Sequence, residues 1–313
     1  MPNYLQRILT AVVAIPIIIF ICLRGGGWFF FFVSLASTVA LFEFYSLVRS
    51  KEARPLVVLG LISGVLVNLS FFAPKLHAFI ADMLGVSGVP FPTSTQFLLI
   101  TLLMSIAVFS LVELFRNNGS AILNLATTIM GVLYIPLFFG TFIGIRELFI
   151  PLDFPFLRFF PNEFGLSNAT NTETVYGWGG YTVISIFAMI WICDSAAYYG
   201  GMMMGKHKMF PRVSPKKSWE GAIFGFIFAI LSAVGAKMLV LPYLTYANAI
   251  VLGTIVGTIG QMGDLVESLI KRDAGVKDSS NLIPGHGGLF DRFDSLLLVA
   301  PIVYLYLDFI VFA

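Results

Sequence analysis

Residues 95–115 read TQFLLITLLMSIAVFSLVELF, an apolar run in which Glu113 is the sole charged side chain. About 20 residues of this kind cross roughly 30 Å of hydrocarbon as an α-helix. The whole chain has the same character, since its 313 residues are 58% hydrophobic and only 12% charged. A soluble domain carries about 25% charged residues. The sequence therefore predicts a protein that resides in a membrane.

Further apolar runs recur along the chain, so we predict an all-α, polytopic membrane fold with about nine transmembrane helices. The predicted spans are approximately 8–23, 27–48, 56–74, 95–115, 120–145, 178–203, 218–241, 246–270 and 295–312. Two connections are longer, at 75–94 and 146–177. The second of these mixes aromatic residues with prolines, which is typical of an interfacial loop.

The cationic residues indicate the orientation in the membrane. Most of the 19 lysines and arginines fall on connections that share a side with the N-terminus. The opposite side holds Arg24, Lys75, Arg146 and Arg158. Because cytoplasmic loops are enriched in lysine and arginine, we predict a cytoplasmic N-terminus and a C-terminus on the far side. The net charge of +2 gives no reason to expect a nucleic-acid partner.

The two halves of the chain differ in chemistry. Residues 1–177 are predicted to be a transmembrane region with little evident chemistry. Its acids Glu43 and Glu113 lie near span ends, where a charged group costs little free energy. Residues 178–313 place ionisable groups at membrane depth, where each costs roughly 2.5–3.5 kcal/mol even on the mildest scale of membrane insertion. Their cytoplasmic loops are also strongly basic. We therefore predict that residues 178–313 form the catalytic region.

A polar stripe runs along the eighth predicted span. Asp264, Glu267 and Ser268 precede Lys271-Arg272, and positions 264, 267, 268 and 271 share one face of a helix. The sixth span adds Asp194. An ion-pair stripe that only holds helices together is the alternative interpretation, but this stripe runs into a loop with more charge than packing requires.

That loop, residues 271–294, reads KRDAGVKDSSNLIPGHGGLFDRFD. Glycines 285, 287 and 288 would allow a ligand to approach the backbone closely. Asp291 and Asp294 stand just before the ninth span, within reach of Asp264 if the helices are neighbours. Carboxylates at two helix ends, together with cations and glycines, are typical of a site for Mg²⁺ and phosphates. His286 is either a phosphate donor or a turn histidine.

A second basic cluster, residues 205–221, reads GKHKMFPRVSPKKSWEG. An ordinary positive-inside loop would explain it equally well. However, Lys217 and Glu220 fall at the predicted start of the seventh span, where unpaired N–H groups also favour an anion. The cluster is therefore a candidate for phosphate binding.

Residues 268–294 resemble the signature of phosphatidate cytidylyltransferases of the bacterial type. The matching residues are Ser268-x-x-Lys271-Arg272, Lys277-Asp278, Pro284-x-His286-Gly287-Gly288 and Asp291-Arg292-Phe293-Asp294. Asp194 and residues 205–208 and 214–221 are similar to the family as well. The close resemblance covers about residues 185–295, and the N-terminal half is similar only as a polytopic region.

The resemblance implies an activity and a set of site residues. Family members transfer CMP from CTP to phosphatidic acid and are typically dimeric membrane proteins, which here implies the bacterial inner membrane with a cytoplasmic active site. It implies Asp264, Lys271 and Asp291 as catalytic residues, with Mg²⁺ on Asp264 and Asp291 and a K⁺ ion beside it. From charge we add a weaker metal role for Asp194 and phosphate contacts by Lys216, Lys217, Lys271, Arg272, His286 and Arg292. Supporting roles fall to Glu220, Glu267, Ser268, Asp294, Gly287 and Gly288.

Two other functions remain open from the residues alone. A CTP-dependent lipid-alcohol kinase would use a similar nucleotide site, although it should lack the complete pattern of residues 268–294. An ion-coupled transporter also places acids on membrane helices. A transporter, however, would not need two basic loops and a glycine turn on one side.

Overall fold

A computed structural model describes residues 3–85, 90–149, 168–280, 282 and 287–312, with the backbone alone at 3–11 and 168–172. The fold is all-α apart from one small hairpin, as the sequence predicts. The helices are Asn3–Arg24, Gly26–Val48, Val57–Phe71, Ala73–Leu84, Ser94–Leu114, Ala121–Tyr134, Pro136–Glu147, Asn168–Met204, Trp219–Leu239, Tyr246–Ile255, Gln261–Asp273 and Asp294–Tyr306.

Each predicted span has a helical counterpart. Within the described residues, seven helices are long and apolar enough to cross a membrane, or eight if the bent pair Val57–Phe71 and Ala73–Leu84 counts as one span. That pair turns by 84°. The N-terminal helix adds a shorter apolar segment, Val12–Arg24. The protein is therefore a polytopic membrane protein, and the total of about nine spans stays a prediction.

Two segments differ from the predicted secondary structure. Residues 168–177, assigned to a loop from their composition, begin the helix Asn168–Met204 instead. The basic cluster before the seventh span forms an antiparallel hairpin of β1, Lys208–Phe210, and β2, Ser214–Ser218. Lys217 consequently lies on β2, and the next helix begins at Trp219, where the Ser218 hydroxyl accepts a hydrogen bond from the Gly221 N–H at 3.3 Å.

Packing divides the chain into two compact units. The first unit comprises residues 1–11, 25–144 and 273–292, and the second comprises 12–24, 145–272 and 293–313. These boundaries alternate along the chain, whereas the division predicted at residue 177 rests on chemistry and stays a prediction. In the first unit, Leu56, Val67, Phe109 and Val132 form a buried apolar cluster.

Glycines allow the helices of the second unit to approach one another closely. A Cβ on Gly221 would lie 2.6 Å from the Ala197 carbonyl oxygen, and one on Gly253 would lie 2.5 Å from the Ile230 Cα. Small residues are favoured in membrane helix interfaces because they bring backbones into contact. The helix Trp219–Leu239 is thereby packed against both Asn168–Met204 and Tyr246–Ile255, and these helices carry or lead to the polar residues of the site.

Candidate active site

Three carboxylates converge in the second unit. The side-chain oxygens of Asp264, Glu267 and Asp294 lie within 4.8 Å of one another. The convergence depends on Gly263, because a Cβ there would lie 2.6 Å from the Asp294 carbonyl oxygen. The helix Gln261–Asp273 can therefore touch the first turn of Asp294–Tyr306. Carboxylates this close repel one another strongly unless cations or protons accompany them.

Two lysines neutralise part of this charge. Lys217 Nζ lies 2.7 Å from Asp264 Oδ2, and Lys271 Nζ lies 2.8 Å from Glu267 Oε1. Ser268 adds a hydrogen bond from its hydroxyl to Asp264 Oδ1 at 3.3 Å. The predicted stripe at positions 264, 267, 268 and 271 is confirmed, since its members contact one another at helical spacing. The Lys217 contact is non-local and brings the hairpin to the stripe.

A π-helical turn, Val256–Gly260, directly precedes the helix that carries Asp264. Such turns are rare and occur frequently at functional sites. Gln261 anchors the junction, because its side-chain amide donates to the Gly257 carbonyl at 2.6 Å and to the Ala222 carbonyl at 3.0 Å. The second of these bonds ties the helix to Trp219–Leu239, so the position of the Asp264 helix is fixed at its start.

Asp194 also belongs to this environment. It lies in the helix Asn168–Met204 and interacts electrostatically with Asp264 and Lys217. Asp294 in turn interacts with the charges of Asp264, Asp194 and Lys217. The predicted weaker metal residue therefore accompanies the three converging carboxylates rather than standing apart from them.

Glu220 closes the base of the hairpin. Its carboxylate accepts hydrogen bonds from the Lys206 N–H at 3.1 Å and the His207 N–H at 3.2 Å, and it lies 2.6 Å from His207 Nδ1. The Trp219 N–H donates to the His207 carbonyl at 3.0 Å. Glu220 therefore stabilises the hairpin on which Lys217 lies, and its supporting role at the site stays a prediction.

In the first unit, Asp291 organises residues 277–280 and 287–292, called here the signature segments. Asp291 Oδ2 accepts from the Gly288 N–H at 2.8 Å, the Ser279 N–H at 2.9 Å and the Ser279 hydroxyl at 3.0 Å. Gly287 has φ +79°, and a Cβ there would lie 2.6 Å from Asp291 Oδ2. Only glycine suits both the left-handed backbone and that close carboxylate.

Comparison with known proteins shows to which family the chain belongs. Residues 5–310 match the model of the family described as "Cytidylyltransferase family". The chain is 32% identical over 300 residues to a phosphatidate cytidylyltransferase of Bacillus subtilis (strain 168), covering 96% of both chains. This chain belongs to the cytidylyltransferase family. It is also 31% identical over 309 residues to a phosphatidate cytidylyltransferase of Synechocystis sp., covering 96% of this chain and 94% of the relative.

The structure distributes the site residues expected of a cytidylyltransferase between the two units. The second unit brings together Asp194, Lys217, Asp264, Glu267, Ser268, Lys271 and Asp294. The first unit holds Gly287, Gly288 and Asp291 around Ser279. Lys216, Arg272 and Arg292 are exposed. His286 lies outside the described residues.

Glu43 is the functional candidate that sequence reasoning missed. Its side chain is only 3% exposed, so the prediction that an acid at this position costs little free energy is wrong. The same holds for Glu113, which is 4% exposed and hydrogen-bonded to Asn124 Nδ2 at 2.6 Å. An acid inside an otherwise apolar helix was the available signal, because such a group needs a partner to offset its desolvation.

The donor set in the second unit fits a divalent cation. Mg²⁺ prefers oxygen ligands and is commonly held by one or two carboxylates together with substrate phosphates. Asp264, Glu267 and Asp294 offer carboxylate oxygens close enough to share one ion. Lys217 and Lys271 balance only part of their charge, so a further cation would relieve the remaining repulsion.

Proposed function

We propose that this protein transfers CMP from CTP to phosphatidic acid, releasing pyrophosphate and leaving CDP-diacylglycerol in the bilayer. One observation carries the proposal. In a member of the cytidylyltransferase family, the carboxylates of Asp264, Glu267 and Asp294 converge, and two lysines pair with the first two of them. The group combines ligands for a metal ion with cations for phosphates, and both substrates are phosphate anions.

Mg²⁺ is the proposed cofactor, with K⁺ as a second ion that the family resemblance implies. Asp264, Glu267 and Asp294 would hold the divalent ion. Asp291 is a further proposed ligand, which the family resemblance implies. When bound, the ion would neutralise charge on the triphosphate and on the departing pyrophosphate. Asp194 contributes to the negative potential that favours a cation at this position.

The lysines are proposed to align the two anions. Lys217 and Lys271 already pair with carboxylate oxygens, and a phosphate oxygen is the same kind of acceptor. Both ammonium groups can therefore contact substrate phosphates from positions that the protein has set. Lys216, Arg272 and Arg292 are exposed cations that would attract CTP from the aqueous side.

The chemistry needs no nucleophilic side chain. The attacking group is the phosphate of phosphatidic acid, a monoester with a second pKa of about 6, so it is largely dianionic at neutral pH. Its oxygen forms the new bond to the α-phosphorus while the bond to pyrophosphate breaks. Ser268 is hydrogen-bonded to Asp264 and is proposed to orient that carboxylate.

The proposed setting is the cytoplasmic face of the bacterial inner membrane, where lipid and CTP can meet, with a homodimer as the assembly. A cysteine at Ser214 in the hairpin should then be protected from an impermeant thiol reagent in intact cells. A cysteine at Glu173 should react. Cys22 and Cys193 are both buried and can be replaced in the background. The reverse labelling pattern would contradict the proposed orientation.

The activity is tested with purified protein, phosphatidic acid, Mg²⁺ and each of the four ribonucleoside triphosphates in turn. We expect CDP-diacylglycerol and pyrophosphate from CTP, and little product from ATP. A parallel reaction with diacylglycerol in place of phosphatidic acid tests the lipid-kinase alternative, and formation of CDP and a phosphorylated lipid there would replace the proposal with that activity. No nucleotide consumption with any of the four would refute a nucleotidyl transfer.

A further inference from the structure

Glu43 makes an unusually complete set of hydrogen bonds for an acid inside a membrane helix. Its Oε1 accepts from the Ser280 hydroxyl at 2.5 Å and the Leu289 N–H at 3.1 Å. Its Oε2 accepts from the Phe290 N–H at 2.7 Å and the Ser279 hydroxyl at 3.1 Å. Each carboxylate oxygen therefore contacts one hydroxyl and one backbone amide, and the donors come from both signature segments.

Ser279 connects this carboxylate to Asp291. Its hydroxyl oxygen lies 3.1 Å from Glu43 Oε2 and 3.0 Å from Asp291 Oδ2, and its N–H donates to Asp291. A hydroxyl has one proton, so Ser279 shares that proton between two carboxylates that are 3% and 8% exposed. Any displacement of Ser279 therefore changes the hydrogen bonds of Asp291 as well.

The packing around Phe290 and Gly288 leaves Glu43 little freedom. Phe290 is fully buried and makes edge contacts with Phe44 and Tyr134 at centroid distances of 6.3 Å. A Cβ on Gly288 would lie 2.5 and 2.6 Å from the two Glu43 oxygens. Glycine at position 288 is therefore required by the Glu43 carboxylate, whereas any residue except proline could donate the backbone N–H bond to Asp291.

We propose that Glu43 is a positioning residue: its carboxylate holds the two signature segments together and thereby fixes the carboxylate of Asp291. The assignment of a catalytic consequence rests on the proposed function. The variant Glu43→Gln tests this proposal well, because its NH₂ group replaces one of the two acceptor oxygens. That NH₂ group must then face the N–H of Leu289 or of Phe290, and a backbone N–H can only donate. A buried donor without an acceptor is costly, although the side chain keeps its shape.

The experiment compares three variants in detergent-purified protein, measuring kcat with CTP and phosphatidic acid beside the thermal unfolding midpoint. Glu43→Gln should lower kcat at least about tenfold, and Glu43→Asp should lose less because it keeps both acceptor oxygens. Glu113 is a matched buried acid that is bonded to Asn124 and Arg116. The kcat of Glu113→Gln should stay within about threefold of wild type, even if its unfolding midpoint falls as far as that of Glu43→Gln. A role in packing alone predicts the opposite order, with the shorter aspartate worse than the isosteric glutamine, and would overturn the proposal.

Hydrogen–deuterium exchange of the protein without substrates gives a second readout. Glu43→Gln should speed exchange at the Leu289 and Phe290 amides, and also at the Ser279 and Gly288 amides, which donate to Asp291. Exchange confined to Leu289 and Phe290 would refute the coupling to Asp291. If the wild type forms no CDP-diacylglycerol, the proposed function fails, whereas the exchange rates still decide whether Glu43 anchors the segments.

Discussion

The two units each contain a group of carboxylates, but the partners of these carboxylates differ between the units. In the first unit, Glu43 and Asp291 accept hydrogen bonds from neutral donors, namely backbone amides and serine hydroxyls. In the second unit, Asp264 and Glu267 pair with lysines and crowd against Asp294. Neutral backbone donors are fixed to the chain, whereas ammonium groups sit on flexible stems.

From this difference we expect the first unit to provide structural support and the second unit to hold the reactive centre. Carboxylates held by backbone amides are fixed in place and define the shape of the loop that carries them. Carboxylates held by lysines can exchange an ammonium group for a metal ion, and the released lysine can bind a phosphate. The second unit is therefore the expected seat of the cation, and the first unit the expected support of the signature segments.

The largest effect is expected from Asp264→Asn, which removes a charged ligand and the partner of Lys217. Turnover with CTP and phosphatidic acid should fall by more than about 10²-fold. Asp308→Asn is the control in the same unit, at the far end of the helix after Asp294, and should keep most activity. Equal losses in both variants would mean that general destabilisation explains the result.

Asp291→Asn tests whether the first unit does more than provide support. We expect a loss of about 10²-fold, because the variant removes a proposed metal ligand as well as an acceptor for the Gly288 N–H. Ser279→Ala should cost about tenfold or less, since it removes one hydroxyl from the same network. If Asp291→Asn lowered turnover no more than Ser279→Ala does, the role of Asp291 would be limited to stabilising the signature segments.

Lys217→Gln should lower turnover by about 10- to 100-fold, because it removes a cation placed against the carboxylates. The neighbouring Lys216 is exposed on the same strand, and Lys216→Gln should change turnover by less than about threefold. Steady-state kinetics at saturating CTP would separate the two. Similar losses for both lysines would mean that the hairpin contributes only general positive charge.

Gly263→Ala should have the smallest effect, mainly on stability. Its Cβ would press on the Asp294 carbonyl, and overpacking of this kind costs about 1–3 kcal/mol. Gly235→Ala is the control, because a Cβ there meets nothing within 4 Å. It should leave the unfolding midpoint unchanged or raise it, since alanine favours helix. A lowered midpoint for Gly235→Ala alone would contradict the packing described at Gly263.

The sequence predicted those features that depend on local periodicity. Apolar runs mark helices because a membrane leaves the backbone few alternatives, and the stripe at 264, 267, 268 and 271 follows from helical geometry. The contact between Lys217 and Asp264 could not be predicted, since it depends on how a hairpin folds back. Glu43 and Ser279 are 236 residues apart, so their hydrogen bond is visible only in the folded chain.

Direct measurement of metal binding tests the central claim, namely that the carboxylates of the second unit hold the divalent cation. Mn²⁺ can replace Mg²⁺, and electron paramagnetic resonance would report its binding to purified protein without substrates. We expect Asp264→Asn and Asp294→Asn each to weaken Mn²⁺ binding by at least about tenfold, while Glu113→Gln binds as the wild type does. Unchanged binding in both aspartate variants would contradict the account.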